Sequence, residues 1–440
     1  MKREQAGGAV RRENGRGREG PRPGTAPGGA PLRPSQLLAY LFAPALAFLV
    51  AGAFAGLLNL VAGSQWTGWI ALHLVLLGGV SQLIIGAAQF FAAAFLATDP
   101  PDRRLIAGQL ACWNSGALLV VIGVPSDLPA LTGTGGLLLV AGLGLFAAGL
   151  TQMNRRSVQR NHWAIRWYLS AAGCLALGAV FGVLLADAGS EYLKLFGAHL
   201  AVNLFGWIGL AIVGTLHTFF PSLAGTRLPF ARLEPVAFGL WIAGVLVLAG
   251  AMLAGSSPAA AGGWLLLTGA AATLAINLSG CLRARDAGRP AGLPLLLVGT
   301  GQLFLGISLM LGLVSVIAEG RFEPVAGSTR EALAVLLVGG WFGLTVAGSL
   351  LHLTALLARV KSGFKVKPRL PRPSRDRTIV AGAAAGLLLL AGSTVSGLEP
   401  VRLLGAALLL LSAAPLVAML AASAAVAFRP GQAGPGPRIP

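Results

Sequence analysis

Twelve apolar stretches, most of them twenty residues or longer, run through this chain at 36–62, 67–97, 105–125, 130–152, 163–186, 193–220, 232–254, 262–282, 291–317, 331–358, 377–396 and 401–427. At 1.5 Å per residue, a helix of that length crosses ~30 Å of hydrocarbon. Inside lipid an unpaired backbone amide or carbonyl costs several kcal/mol, so such a stretch closes its own hydrogen bonds whatever its local propensity. That outweighs the 62 glycines among 440 residues, which would weaken helices in water. In a bilayer the same glycines let backbones approach closely. The sequence therefore predicts an all-α polytopic membrane protein with 12 transmembrane helices. Only 11% of the residues are charged and 55% are hydrophobic, a balance that no water-soluble domain needs.

The charges predict which way the helices run. Basic residues gather in the N-terminal tail (Lys2, Arg3, Arg11, Arg12), at Arg103 and Arg104, at Arg155, Arg156 and Arg160, at Arg227 and Arg232, at Arg283, Arg285 and Arg289, and most densely over 359–377. These are alternate loops. The intervening loops lack charge or mix signs, as around Asp187, Glu191 and Lys194. By the positive-inside rule both termini are cytoplasmic. A multi-pass protein of a prokaryotic plasma membrane is the expected location. The formal net charge of +18 then serves topology and contact with anionic lipid. The bilayer is the expected partner and nucleic acid is not, because no folded basic domain is present to hold it. Residues 1–35 and 428–440 are polar, rich in glycine and proline, and read as cytoplasmic tails rather than a signal peptide.

One pattern recurs inside the apolar stretches. The sixth reads GWIGLAIVGTLH, with Gly206, Trp207, Gly209 and Gly214, and ends at His217. The tenth reads GWFGLTVAGSLLH, with Gly340, Trp341, Gly343 and Gly348, and ends at His352. The second carries a weaker copy, with Gly78 and Gly86 again eight residues apart and Gln89 where His217 would fall. Small residues at fixed offsets let the same helix face pack in the same way each time. Recurrence every four helices predicts three pseudo-equivalent four-helix units, at about 36–152, 163–282 and 291–427.

Candidate chemistry rests on histidine. His73 and His199 fall one to two turns below the predicted outer surface, on the second and sixth helices. Two imidazoles at one depth suit a haem iron or a copper ion, and Asn203, one turn below His199, is a candidate hydrogen-bonding neighbour. The alternative is that each ring bonds a neighbouring helix or interfacial water. His217 lies eighteen residues beyond His199, ~27 Å along the helix, and cannot join the same centre. His162, His217 and His352 form a separate inner group to consider. No Asp or Glu falls in the middle of an apolar stretch, which argues against an ion-coupled transporter or proton pump. The three cysteines are scattered singly without CxxC or CxxCH, so a c-type haem attachment or Fe–S site is excluded. There is no nucleotide-binding loop, HExxH or serine–histidine arrangement.

The stretches HLVLLGGVSQLIIGAAQFF (73–91) and HLAVNLFGWIGLAIVGTLHTFFPSL (199–223) resemble the catalytic subunit of haem-copper oxidases, and most closely its small divergent relatives, among them membrane proteins linked to the nitric-oxide response. The resemblance implies a pseudo-threefold array of twelve helices. It implies His73 as an axial ligand of a haem and His199 as a copper ligand. Oxidases also need a His-His pair around the seventh helix and an H-x-H pair on the outer side of the tenth. Here the seventh stretch has no histidine, and the tenth has only His352 near its inner end. A complete oxygen-reducing centre is thus not implied, and no electron donor is legible. The competing functions are a transporter or channel for a small solute, and a cofactor-free membrane assembly partner.

Overall fold

In the computed structural model the described residues are 34–159, 162–286, 288, 290–320, 327–361 and 370–427. The C-terminal tail, residues 1–33 of the N-terminal tail and residues 362–369 of the basic 359–377 loop lie outside them. Twelve helices among these residues are long and apolar enough to cross a membrane. They are numbered here as spans 1 to 12: Tyr40–Asn59, Trp66–Phe95, Arg103–Gly123, Pro129–Arg156, Trp163–Asp187, Gly189–Ala224, Leu233–Ala254, Ser257–Arg283, Leu293–Glu319, Gly327–Arg359, Pro373–Ser396 and Glu399–Val426. All twelve apolar stretches are helical. The spans begin and end where local chemistry supplies partners for loose backbone groups. Ser64 and Ser256 accept the amides of Thr67 and Ala259 at the starts of spans 2 and 8. Span 7 ends at Gly255 with φ +65°, a left-handed turn that a side chain would strain.

One face of the bundle carries short connections, at 63–64, 255–256 and 397–398, and is called the short-loop face. The other carries the connections flanked by Arg103, Arg104, Arg155, Arg156, Arg227, Arg232, Arg283 and Arg285, and is called the basic-loop face. Large side chains remain uncovered around the bundle. Leu137 and Leu411 are each 74% exposed, and Leu303 is 68% exposed. Lipid is the medium that covers such surface without cost.

Consecutive spans pack as pairs. In the pairs 3–4, 7–8 and 11–12 the crossing uses two glycines whose numbers differ by 19: Gly116 and Gly135 meet directly, as do Gly386 and Gly405, while Gly244 and Gly263 each face the leucine four residues beyond the other, Leu267 and Leu248. A Cβ on Gly116 would stand 2.8 Å from the Gly135 oxygen, and one on Gly386 would stand 2.8 Å from the Gly405 oxygen. On Gly263 it would meet the Leu248 nitrogen at 2.8 Å. No larger residue fits at these crossings without separating the helices.

Spans 2, 6 and 10 use the recurring glycines against the span before them. Gly78 lies on the ring of Phe48, Gly206 on Cys174 and Gly340 on Phe304. Eight residues further on, Gly86 lies on Leu41 and Gly214 on Trp167, while Gly348 meets the Pro294 carbonyl first and then Val298 and Leu297. With Leu297 counted in the third, the partner positions are seven apart: 48 and 41, 174 and 167, 304 and 297. Span 6 is the most enclosed of the twelve and span 12 the least.

The same three spans share a distortion. Each contains a π-helical segment, at Leu74–Val80, Ala201–Gly209 and Val335–Gly343. In the first, the Ser81 amide reaches back five residues to the Leu76 oxygen. The repeated Gly-Trp signature sits inside these segments: Gly206, Trp207 and Gly209 in the second, Gly340, Trp341 and Gly343 in the third. A π segment adds a residue to the helical turn, shifts the phase of all that precedes it, and is frequently found at functional sites.

Candidate functional site

His73 immediately precedes the first π segment, and His199 stands two residues before the second. Both therefore lie towards the short-loop face, on spans 2 and 6. His73 Nδ1 is 2.9 Å from the Trp69 carbonyl one turn back, and its ring stacks on the Trp69 indole at 3.7 Å between centroids. His199 Nδ1 is 2.9 Å from the Gly178 carbonyl on span 5. A carbonyl oxygen only accepts, so both rings donate from Nδ1 and, when neutral, keep a lone pair on Nε2. That is the wiring of metal-binding imidazoles, in which the hydrogen bond on one nitrogen orients the other.

Glycine makes room for this arrangement on span 5. A Cβ on Gly182 would stand 3.1 Å from His199 Cε1, and one on Gly178 would overlap the Asn203 amide. Asn203 does not bond the His199 ring. Its Nδ2 donates to the His199 backbone carbonyl at 2.7 Å, one turn back along its own helix. A short amide side chain inside a helix reaches that carbonyl more easily than a ring pointing towards another span. With this carbonyl drawn off by a side chain, Asn203 supports the loosened backbone entering the π segment.

The histidines nearer the basic-loop face sit in separate surroundings. His162 Nδ1 accepts the Ala164 amide at 3.2 Å and so caps span 5, while its ring stacks on Phe95 at 5.4 Å. His352 meets Phe219 edge to face at 5.5 Å. His217 stacks on Trp167 at 5.6 Å and donates from Nδ1 to Val213 at 2.8 Å. Its Nε2 is buried without a partner. Beside it Glu234, 7% exposed at the start of span 7, comes up to the Trp167 indole. Neither its Oε1 nor Trp167 Nε1 completes a hydrogen bond, however. Among the described residues no three His, Cys, Asp or Glu side chains are grouped to hold a metal ion. Any metal at the short-loop end would thus depend on the two imidazoles and on ligands from outside the chain.

A cavity of about 90 Å³ lies where spans 2, 6 and 10 meet. Its walls are in register. Counting from Gly78, Gly206 and Gly340, position +5 contributes Leu83, Ala211 and Thr345, and +6 contributes Ile84, Ile212 and Val346. Position +9 contributes Ala87, Thr215 and Ser349, and +10 contributes Ala88, Leu216 and Leu350. At +13, Phe91, Phe219 and Leu353 pack together and close the end towards the basic-loop face. Tyr168 from span 5 and Phe42 from span 1 complete the wall. No motif announced this cavity, because its residues are ordinary and gather only when three distant spans pack.

No family model matches the chain, and comparison with curated proteins returns no match. The resemblance to haem-copper oxidases accordingly rests on the two stretches 73–91 and 199–223.

Proposed function

We propose that this integral membrane protein binds haem or copper at His73 and His199, as a member of the haem-copper-oxidase-like group without a complete oxygen-reducing site. The observation that carries the reading is the common wiring of the two imidazoles. Each ring stands beside a π segment with Nδ1 committed to a backbone carbonyl, Trp69 on its own span for His73 and Gly178 on span 5 for His199, which leaves the Nε2 lone pair to act as a ligand. Bound there, either group would supply one-electron redox chemistry; the chain's part is to orient the rings and keep the site inside lipid. The architecture that goes with this reading is three related four-helix units. It is supported by the matched glycine contacts of spans 2, 6 and 10, and by the three glycine crossings in pairs 3–4, 7–8 and 11–12.

The test is the visible absorption spectrum and copper content of protein purified from cells supplied with iron and copper. His73→Ala and His199→Ala should each abolish the haem band or the copper. Protein that carries neither group, or that keeps its complement in both variants, overturns the proposal. Both termini are assigned to the cytoplasm and the short-loop face to the outside. A cysteine placed at Ser256 should then react with an impermeant thiol reagent on intact cells, and one placed at the exposed Val158 should react only after the membrane is permeabilised.

A further inference from the structure

The cavity between spans 2, 6 and 10 is independent of the histidines, and its chemistry is restrictive. No ionisable side chain other than the Tyr168 phenol lines it. Of the four hydroxyl hydrogens that face it, those of Thr215 and Tyr168 are committed to protein oxygens, and those of Thr345 and Ser349 are not. Thr215 donates to the Ala211 carbonyl at 2.7 Å, so at the 2.9 Å contact between them Tyr168 is the donor and Thr215 the acceptor. Thr345 accepts the Gln302 amide at 3.0 Å. A buried water needs two to four polar partners, and this wall offers few. Enclosed cavities lined by apolar side chains stay dry, and one of about 150 Å³ takes benzene or xenon. At about 90 Å³ the space is smaller than that and admits a molecule of only a few heavy atoms.

The space is also built rather than left over. Ala87, Thr215 and Ser349 occupy the same register on the three spans, and all three are small. The layer below them, Phe91, Phe219 and Leu353, is large on all three. One small tier above one sealing tier, repeated around three helices, leaves room on one side and blocks passage on the other. We infer that the cavity between spans 2, 6 and 10 is a binding site for a small, uncharged, apolar molecule, closed towards the basic-loop face by Phe91, Phe219 and Leu353.

Xenon is the probe, read by ¹²⁹Xe NMR of the purified full-length protein in detergent and located in xenon-pressurised crystals. A saturable site in this cavity is the expected result. Ala88→Leu and Ala211→Leu should each weaken it at least ~10-fold by filling the space. Leucine already stands at the matching register as Leu216 and Leu350 in the first case and as Leu83 in the second. Ser349→Ala removes one oxygen and cannot crowd the fold; it should tighten xenon binding. Absence of xenon from the cavity in both the parent protein and Ser349→Ala overturns the inference, whatever the leucine variants do. So does xenon binding that a folded Ala88→Leu protein leaves unchanged. His73→Ala and His199→Ala should not alter xenon affinity, so failure here is separable from failure of the haem or copper assignment.

Discussion

The Trp207 indole N–H donates to Ser81 Oγ at 2.9 Å, joining span 6 to span 2. Ser81 passes its own hydrogen to the Leu76 carbonyl at 2.8 Å, five residues back in the π segment. The tryptophan of one π segment is thus held by the residue that ends another. Trp341, its counterpart in the third, instead finds Gln302 Oε1 at 3.1 Å on span 9.

Ser81→Ala removes the acceptor and leaves a buried indole N–H unpaired, so it should cost about 1 kcal/mol. Trp207→Phe removes the donor. The double variant should recover part of the loss, with a coupling of roughly 0.6 kcal/mol, the usual size for hydrogen bonds between helices in membranes. Unfolding in mixed dodecylmaltoside and SDS micelles measures all three. Strictly additive single losses would show that the contact carries no energy of its own.

Two kinds of glycine should behave differently. An added Cβ at Gly340 meets Phe304 at 2.5 Å, a side chain that can be shortened. Gly340→Ala should cost ~1–3 kcal/mol, and Phe304→Leu should restore much of it. At Gly386 the obstacle is the Gly405 carbonyl oxygen at 2.8 Å, which no side-chain change moves. Gly386→Ala should therefore be the more damaging of the two and should resist second-site repair. Equal losses, or a rescue of Gly386→Ala by trimming Leu409, would contradict this account.

His162 predicts a pH dependence near the basic-loop face. Burial lowers its pKa from the ordinary 6.5. Its Nδ1 accepts the Ala164 amide, so the neutral ring is the capping form. The folded pKa lies below the unfolded value, so the unfolded chain binds more protons as the pH falls through that interval. Stability contributed by the cap is present above pH ~6.5 and is lost as the pH drops below it. Hydrogen exchange at the Ala164 amide should quicken on acidification beyond its intrinsic rate. His162→Asn, which caps without titrating here, should abolish the effect.

His217→Phe tests whether the orphaned Nε2 is a structural burden. The aromatic stack on Trp167 is retained, while a buried acceptor without a partner is removed. Stability should hold or rise by up to ~1 kcal/mol, and any haem or copper signal should persist. A loss well beyond that figure would mean that Nε2 has a partner in the working protein.

The spans were legible because apolar length in lipid leaves a chain one option. The Gly-Trp motif was legible as a repeat, but not as a π distortion, since both helix types present the same residues to the reader. The crossings at Gly116 and Gly135, Gly244 and Gly263, and Gly386 and Gly405 leave no linear signature, because a turn separates each pair. Nineteen residues mean nothing until two helices fold back on one another. The sequence marks Asn203 as a hydrogen-bonding neighbour of His199, and its amide donates to the His199 backbone carbonyl. His162 stands by position with the inner histidines, and no pattern in the sequence shows that its Nδ1 caps the start of span 5. Side-chain choice among competing backbone partners is decided over fractions of an ångström, which no linear pattern records.

The three glycine crossings bear on how such a chain is assembled. Each joins helices only a short turn apart in sequence, and each contact is made by atoms of the two helices themselves. A nascent pair of this sort can close as soon as its second helix leaves the translocon, before any later span has been synthesised. Spans 2, 6 and 10, by contrast, enclose a space that none of them bounds alone. Synthesis would then proceed by prefabricated doublets, with the central cavity the last thing to come into being.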